Sequence, residues 1–236
     1  MPEAAKPVEI GELFEAIEYW FFQPNQLTKK QLLKRQHEVG LSPLPLVAMH
    51  IRRGDKDADK YNRYHLTKEY VQAVYAYASQ APWCTDGNRT PVIQVYVASD
   101  SENALAEVKT YLQNVRAGNC SFRVIGATNT LSSSMSTKWV TTGTKSAMAG
   151  VVSRLPGDKA QQAMYEILFD IYMLSRATFL VGTYMSQIAR LARGLHIMAN
   201  YNHGVDVEPK PVALDWTALG MYSMERRSPF RIAEGW

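Results

Sequence analysis

Apolar and polar positions along the chain alternate between two rhythms. Five short runs are continuously apolar or β-branched: Leu46 to Ile51, Val92 to Ala98, Phe122 to Ile125, Thr178 to Val181 and Leu195 to Met198. That is the pattern of strands buried on both faces of a parallel sheet. Between them, apolar positions recur at helical spacing. Thr67 through Gln80, Ser101 through Gln113 and Asp158 through Arg176 each open on a residue able to accept a first-turn amide hydrogen bond. In the third of these, Met164, Ile167, Leu168, Ile171 and Leu174 share one face. A shorter helix, Ile188 to Arg193, follows Ser186 as its N-cap. Strands alternating with helices predict an α/β domain, a Rossmann-like open parallel sheet with helices on both faces.

This pattern begins at about residue 43, so the sequence divides into a helical adaptor over 1–42 and a single α/β domain over 43–236. The adaptor carries an aromatic cluster, Tyr19-Trp20-Phe21-Phe22, and then a basic polar helix interrupted at Pro24. From Thr128 to Gly157 the chain is rich in Ser, Thr and Gly without apolar periodicity, which predicts a long surface excursion.

Composition narrows the function classes. With 46% hydrophobic residues among 236, the chain has enough apolar surface for a core, and disorder is not expected. A net charge of +4, spread along the chain, permits an anionic ligand without demanding a polyanion. Nucleic-acid binding would need basic residues interleaved with stacking aromatics, and only Lys60-Tyr61-Asn62-Arg63-Tyr64 supplies that. No apolar run approaches the roughly 20 residues that span a bilayer, and Met1 to Lys6 lacks a signal-peptide core. Cys84 and Cys120 permit one disulfide without establishing it, and the sequons at Asn88 and Asn119 point weakly to a secretory compartment.

The densest charge is the segment HIRRGDKDADK, His50 to Lys60, directly behind the first strand. Arg53-Gly54-Asp55 spells an adhesion tripeptide, but that triplet is common by chance. Asp55, Asp57 and Asp59 resemble the start of a calcium loop, yet the sixth and twelfth positions are Lys60 and Leu66 instead of Gly and Glu. Asp57-Ala58-Asp59 also matches a metal-holding Asp-x-Asp, where Lys56 and Lys60 would compete with a cation. A cradle for an anion fits better. In open α/β sheets ligands bind beyond the carboxyl ends of strands, which is where Arg52 and Arg53 fall, and an Arg fork suits phosphate oxygens. Two further strand exits carry polar groups: Ser99-Asp100-Ser101, and Gly182 to Gln187, where the start of a helix offers unpaired backbone amides.

Taken together these segments resemble the α1,6-fucosyltransferases, the family of the core fucosyltransferase of N-glycans and of the nodulation chitooligosaccharide fucosyltransferases. The family's His-x-Arg-Arg-x-Asp-Lys stands as His50-Ile51-Arg52-Arg53-Gly54-Asp55-Lys56, and its Tyr-x-Ala-Thr-Asp as Tyr96-Val97-Ala98-Ser99-Asp100. Asp170 to Ala192, DIYMLSRATFLVGTYMSQIARLA, is the most specific match, with Met185 replacing a serine. The likeness runs from about Glu15 to Tyr222.

The resemblance implies the GDP-binding half of a two-lobed glycosyltransferase, with residues 1–42 as a remnant of the upstream lobe. It implies inverting, metal-independent transfer of fucose from GDP-fucose to a sugar hydroxyl, with no cofactor, in the Golgi lumen or another secretory compartment. The residues it assigns to the donor are His50, Arg52, Arg53, Asp100, Asp170, Ser186 and Gln187. Asp170 would accept N1–H and the exocyclic amine of guanine, and His50 would donate to the ring. Arg52 would neutralise the leaving diphosphate, while Asp55 and Lys56 would set the charge balance around the fucose. The family's glutamate after this motif is Lys60 here, leaving Asp59 as the candidate base, and the family's second aspartate beside Asp100 is Ser101. No counterpart of the family's large amino-terminal portion is expected from this sequence. A non-catalytic GDP-sugar or glycan-binding relative and a protein O-fucosyltransferase-like enzyme are the alternatives. Acceptor identity and oligomeric state have no motif.

Overall fold

The computed structural model describes residues 22–41, 46–53, 65–85, 91–126, 157–183, 186–201 and 212–214. Its centre is a six-stranded sheet formed by β1 (Leu46–Ile51), β2 (Val92–Ser99), β3 (Arg116–Ala117), β4 (Cys120–Gly126), β5 (Phe179–Gly182) and β6 (Val212–Ala213). The strands lie in the order β3-β4-β2-β1-β5-β6, and all neighbours are parallel except the edge pair β3 and β4. The helices are α1 (Gln26–Glu38), α2 (Thr67–Gln80), α3 (Pro82–Thr85), α4 (Glu102–Leu112), α5 (Gly157–Ser175) and α6 (Gln187–Tyr201).

Each face of the sheet buries its own cluster. Val47, Met49, Ile51 and Val95 pack with Tyr70, Val74 and Tyr77 of α2 and with Ala104 and Val108 of α4. On the other face Ala48, Tyr96 and Ala98 meet Phe169, Met173 and Leu174 of α5, Ala192 of α6 and Leu32 of α1. The two-sided burial explains why β1 and β2 read as unbroken apolar runs rather than alternating ones. The α/β architecture with helices on both faces is as expected.

Two local expectations are overturned and one is shifted. Leu195 to Met198 is not a strand but the continuation of α6, which runs to Tyr201. Ile188, Ala192, Leu195 and His196 repeat at helical spacing and lie inward, and the four-residue window hid that period. On α5, Ile171 and Leu174 of the expected face are buried and Ile167 and Leu168 partly so, but Met164 is 46% exposed while Phe169 and Met173 are buried, so the packed face is turned about one position from the expected one. The hydroxyl of Thr67 does not cap α2: Leu66 is the N-cap, with Glu69 Oε2 accepting its backbone N–H at 2.7 Å. The excursion before Gly157 lies outside the described residues, as does Asn88.

A disulfide joins Cys84 of α3 to Cys120 at the start of β4. The β3–β4 turn is fitted to it. Gly118 has φ +58°, and a Cβ there would meet the Cys84 carbonyl oxygen at 2.5 Å, while the Asn119 N–H donates to that same oxygen at 2.8 Å. Only glycine meets both conditions. At the other side of the molecule α1 is held to α5 by an Arg35–Glu166 ion pair at 3.4 Å, with Leu32 buried beneath.

Candidate functional site

The chain winds outward from β1 in both directions, to β2 and β4 on one side and to β5 and β6 on the other. In folds of this kind the ligand crevice lies at the carboxyl edge of the sheet where the strand order reverses, here between β1 and β5. Arg52 and Arg53 leave β1 at this edge, and Thr183, Ser186 and Gln187 leave β5 beside them. Asp100 leaves β2 on the other flank of β1.

These exits are tied together. Asp100 Oδ2 pairs with Arg52 Nη1 at 3.2 Å, and its Oδ1 accepts the Arg53 backbone N–H at 2.8 Å. Ser99 Oγ donates to the Ile51 carbonyl at 2.7 Å and accepts the Ser101 N–H at 3.1 Å. The two strand ends are therefore stitched by side chains beyond the last ladder pair. Arg53 extends the network: its Nη2 donates to Thr67 Oγ1 of α2 and to Glu107 Oε2 of α4, the latter at 2.9 Å, and Thr67 also meets Glu107. Thr67 and Glu107 escaped the sequence reading, because Thr67 looked like a cap and Glu107 like one charge on an exposed helical face.

At the β5 exit, Ser186 is buried and its backbone N–H donates to the Thr183 carbonyl at 3.0 Å, closing a turn before α6. The first intrahelical bond runs from the Arg190 N–H to the Ser186 carbonyl at 3.0 Å. The amides of Gln187, Ile188 and Ala189 thus form the open first turn of a 15-residue helix. Thr183 Oγ1 is buried in the same turn with no hydrogen-bond partner among the described residues. Gln187 is exposed. Close packing of β5 on α6 requires Gly182, where a Cβ would approach that of Ala189 to 3.2 Å and that of His50 to 3.8 Å.

His50 is buried at the penultimate position of β1, on the same sheet face as Ala48 and hence on the side of α5 and α6. Asp170 reaches that face from α5, where its Oδ1 accepts the Tyr96 hydroxyl proton at 2.6 Å. Burial pushes the Asp170 carboxyl up to about 7, with the Tyr96 hydrogen bond pulling it back and Glu166 adding to the rise. Tyr96 is itself fully buried, and its hydroxyl is raised well above its usual value by burial and by Asp170. The structure thus gathers Arg52, Arg53 and Asp100 at one edge, Ser186 and Gln187 beside them, and His50 and Asp170 on one face. Asp55, Lys56 and Asp59 lie outside the described residues. Among the described residues no group of three or more His, Cys, Asp or Glu converges to hold a metal.

Three solved structures are similar to part of the chain. NodZ alpha-1,6-fucosyltransferase soaked with GDP-fucose is 13% identical, with a TM-score of 0.41 over 73% of this chain and 43% of that one. The same enzyme co-crystallised with GDP is 12% identical, with a TM-score of 0.42 over 72% and 41%. The fucosyltransferase NodZ from Bradyrhizobium is 13% identical, with a TM-score of 0.35 over 72% and 42%. The chain therefore spans less than half the length of these proteins. Curated protein sequences give no significant match. The family model for alpha-(1,6)-fucosyltransferase N- and catalytic domains matches residues 13–206, which include the arginine motif that begins at the end of β1, Asp100, and the Asp170-to-Gln187 stretch. The chain belongs to the α1,6-fucosyltransferase family.

Proposed function

We propose that this chain is the GDP-fucose-binding half of a fucosyltransferase that works by inversion and without a metal. The acceptor is a sugar hydroxyl, with α1,6 linkage to GlcNAc of an N-glycan core or a chitooligosaccharide. The observation that carries the reading is Arg52, held by Asp100 at the carboxyl end of β1 beside the crevice. A guanidinium carries five N–H donors in a planar fork, the geometry that suits diphosphate oxygens. The open first turn of α6, with the Thr183 and Ser186 hydroxyls, would face the same anion from the opposite side. His50 and Asp170 would receive the guanine.

In the reaction the acceptor oxygen attacks the anomeric carbon of fucose from the face opposite the diphosphate. The bond from that carbon to the diphosphate oxygen breaks, and GDP leaves with the electron pair. The acceptor proton passes to a carboxylate, for which Asp59 is the candidate. Charge grows on the departing diphosphate, so a fixed donor at Arg52 stabilises the transition state more than the ground state. The Cys84–Cys120 disulfide supports a place in an oxidising compartment such as the Golgi lumen.

Isothermal titration with GDP, GDP-fucose, UDP and ADP tests the donor site. Preference for the guanine nucleotides is expected, and equal binding of all four would overturn the reading. Lys60, standing where the family carries a glutamate, favours one alternative, a relative that binds the donor without transferring it. Turnover by Lys60→Glu but not by the unaltered chain would select that alternative.

A further inference from the structure

The Tyr96–Asp170 hydrogen bond lies behind the strand ends and contributes nothing to the diphosphate cradle. Tyr96 is fully buried in the sheet, and its ring stands edge-on to Phe169 with centroids 6.0 Å apart and an interplanar angle of 84°. The phenol therefore has one orientation, and its hydroxyl meets Asp170 Oδ1 at 2.6 Å. One Asp170 oxygen is pinned by this hydrogen bond, and Asp170 as a residue is only partly buried. Resting on the donor-site reading above, we propose that Tyr96 is a positioning and specificity-determining residue for the nucleobase. Its hydroxyl holds Asp170 so that the carboxylate presents a fixed edge to the Watson–Crick edge of guanine.

The chemistry of the base makes this consequential. Guanine offers two adjacent donors, N1–H and the exocyclic amine, and only an ionised, correctly rotated carboxylate accepts both. Hypoxanthine keeps N1–H but lacks the amine, and adenine presents an acceptor at N1. Groups around Asp170 pull its proton in opposite directions. Burial and Glu166 favour the neutral acid, whereas the Tyr96 hydrogen bond and Arg35 of α1 favour the carboxylate. His50 of β1 shares the sheet face, and on α6, His196 meets the Ser175 carbonyl at the end of α5 while Arg193 lies close enough to oppose its protonation. Burial lifts Asp170 to about 7, and the Tyr96 hydrogen bond pulls it back toward the carboxylate form at neutral pH.

The test is titration of GDP, IDP and ADP into the unaltered chain, Tyr96→Phe, Asp170→Asn and the double variant between pH 5.5 and 8.5. In the unaltered chain GDP affinity should rise through about pH 7. Tyr96→Phe should lower GDP affinity at neutral pH roughly tenfold, the scale of one hydrogen bond to a charged group. It should also move the pH of that rise upward and bring the GDP-to-IDP ratio toward one. Asp170→Asn should abolish the rise, and adding Tyr96→Phe to it should cost nothing more. If the unaltered chain prefers GDP but Tyr96→Phe keeps its affinity, base preference and pH profile, the role of Tyr96 is overturned alone. An equal loss for GDP and IDP at every pH would also overturn it, showing a packing role only. If the unaltered chain shows no preference for GDP, the donor-site reading and this inference fall together.

Discussion

Asp100 and Arg52 leave neighbouring strands and pair across them, Oδ2 to Nη1 at 3.2 Å, while the other Asp100 oxygen accepts the backbone N–H of Arg53 at 2.8 Å. One carboxylate therefore sets both the direction of the Arg52 guanidinium and the path of the chain that carries it. In the proposed reaction, loss of Arg52 leaves the leaving diphosphate without its principal donor.

Arg52→Ala is expected to lower transfer by about a hundred- to a thousandfold, the usual cost of removing one transition-state donor. Arg52→Lys should recover little, because a point charge does not reproduce the planar fork. Asp100→Asn should weaken GDP binding with the fold intact. Steady-state kinetics and titration on the same preparations check all three, and full activity of Arg52→Lys would show that charge alone suffices.

Arg53 is expected to act on stability as well as on activity, since its guanidinium joins β1 to Thr67 of α2 and Glu107 of α4. Arg53→Ala removes the charged donor shared by Thr67 and Glu107, leaving the buried Thr67 hydroxyl bonded to Glu107 alone, and should destabilise the fold by about 1–2 kcal/mol. Urea denaturation measures this. An unchanged midpoint would show that the network forms without energetic weight.

Asp170 gives stability a sign with pH. Its folded-state value of about 7 lies above the ordinary 3.8, so between those values the folded chain holds a proton that the unfolded chain has lost. Stability from this group is thus present at low pH and is lost as pH rises toward about 7. His196, held low by burial, works in the opposite direction, its contribution growing as pH rises toward its ordinary 6.5. Comparison with Asp170→Asn separates the two. The variant should lose this decline toward neutral pH and be the more stable protein at pH 7.5, a result read from urea midpoints across the range. A parallel pair of curves would show that Asp170 titrates alike in both states.

The disulfide and the turn beside it make a further pair of predictions. Cys84 and Cys120 are 36 residues apart, and opening a loop of that size costs roughly 3–4 kcal/mol on the chain-entropy account. Cys84→Ser with Cys120→Ser should lower the unfolding midpoint accordingly. Gly118→Ala should destabilise by about 1–3 kcal/mol, combining a left-handed backbone with contact on the Cys84 carbonyl. Wild-type stability in that variant would mean the turn relocates freely.

Much of the architecture was legible because it depends on local pattern. Continuous apolar runs mark strands buried on two faces, so β1, β2, β4 and β5 were readable to within a few residues. The helices between them announced themselves by spacing. Leu195 to Met198 failed because four apolar residues carry no period of their own. β3 and β6, two residues each, exist only by pairing with β4 and β5 and leave no trace in composition.

The order of residues along the chain determined which groups exit the strands, and with them the family: His50 to Lys56, Tyr96 to Asp100, and Asp170 to Gln187 are contiguous motifs. What those groups touch was decided by the tertiary structure alone. Asp100 meets Arg52 because β1 and β2 are neighbours in register, Arg53 meets Glu107 because α2 and α4 cover the same face, and Tyr96 meets Asp170 because α5 lies beneath β2. The cysteine pair, open in sequence, was closed by a turn that places β3 against the end of α2. Such partners are 36 to 74 positions apart, and their proximity comes from the packing of layers, which no local periodicity encodes.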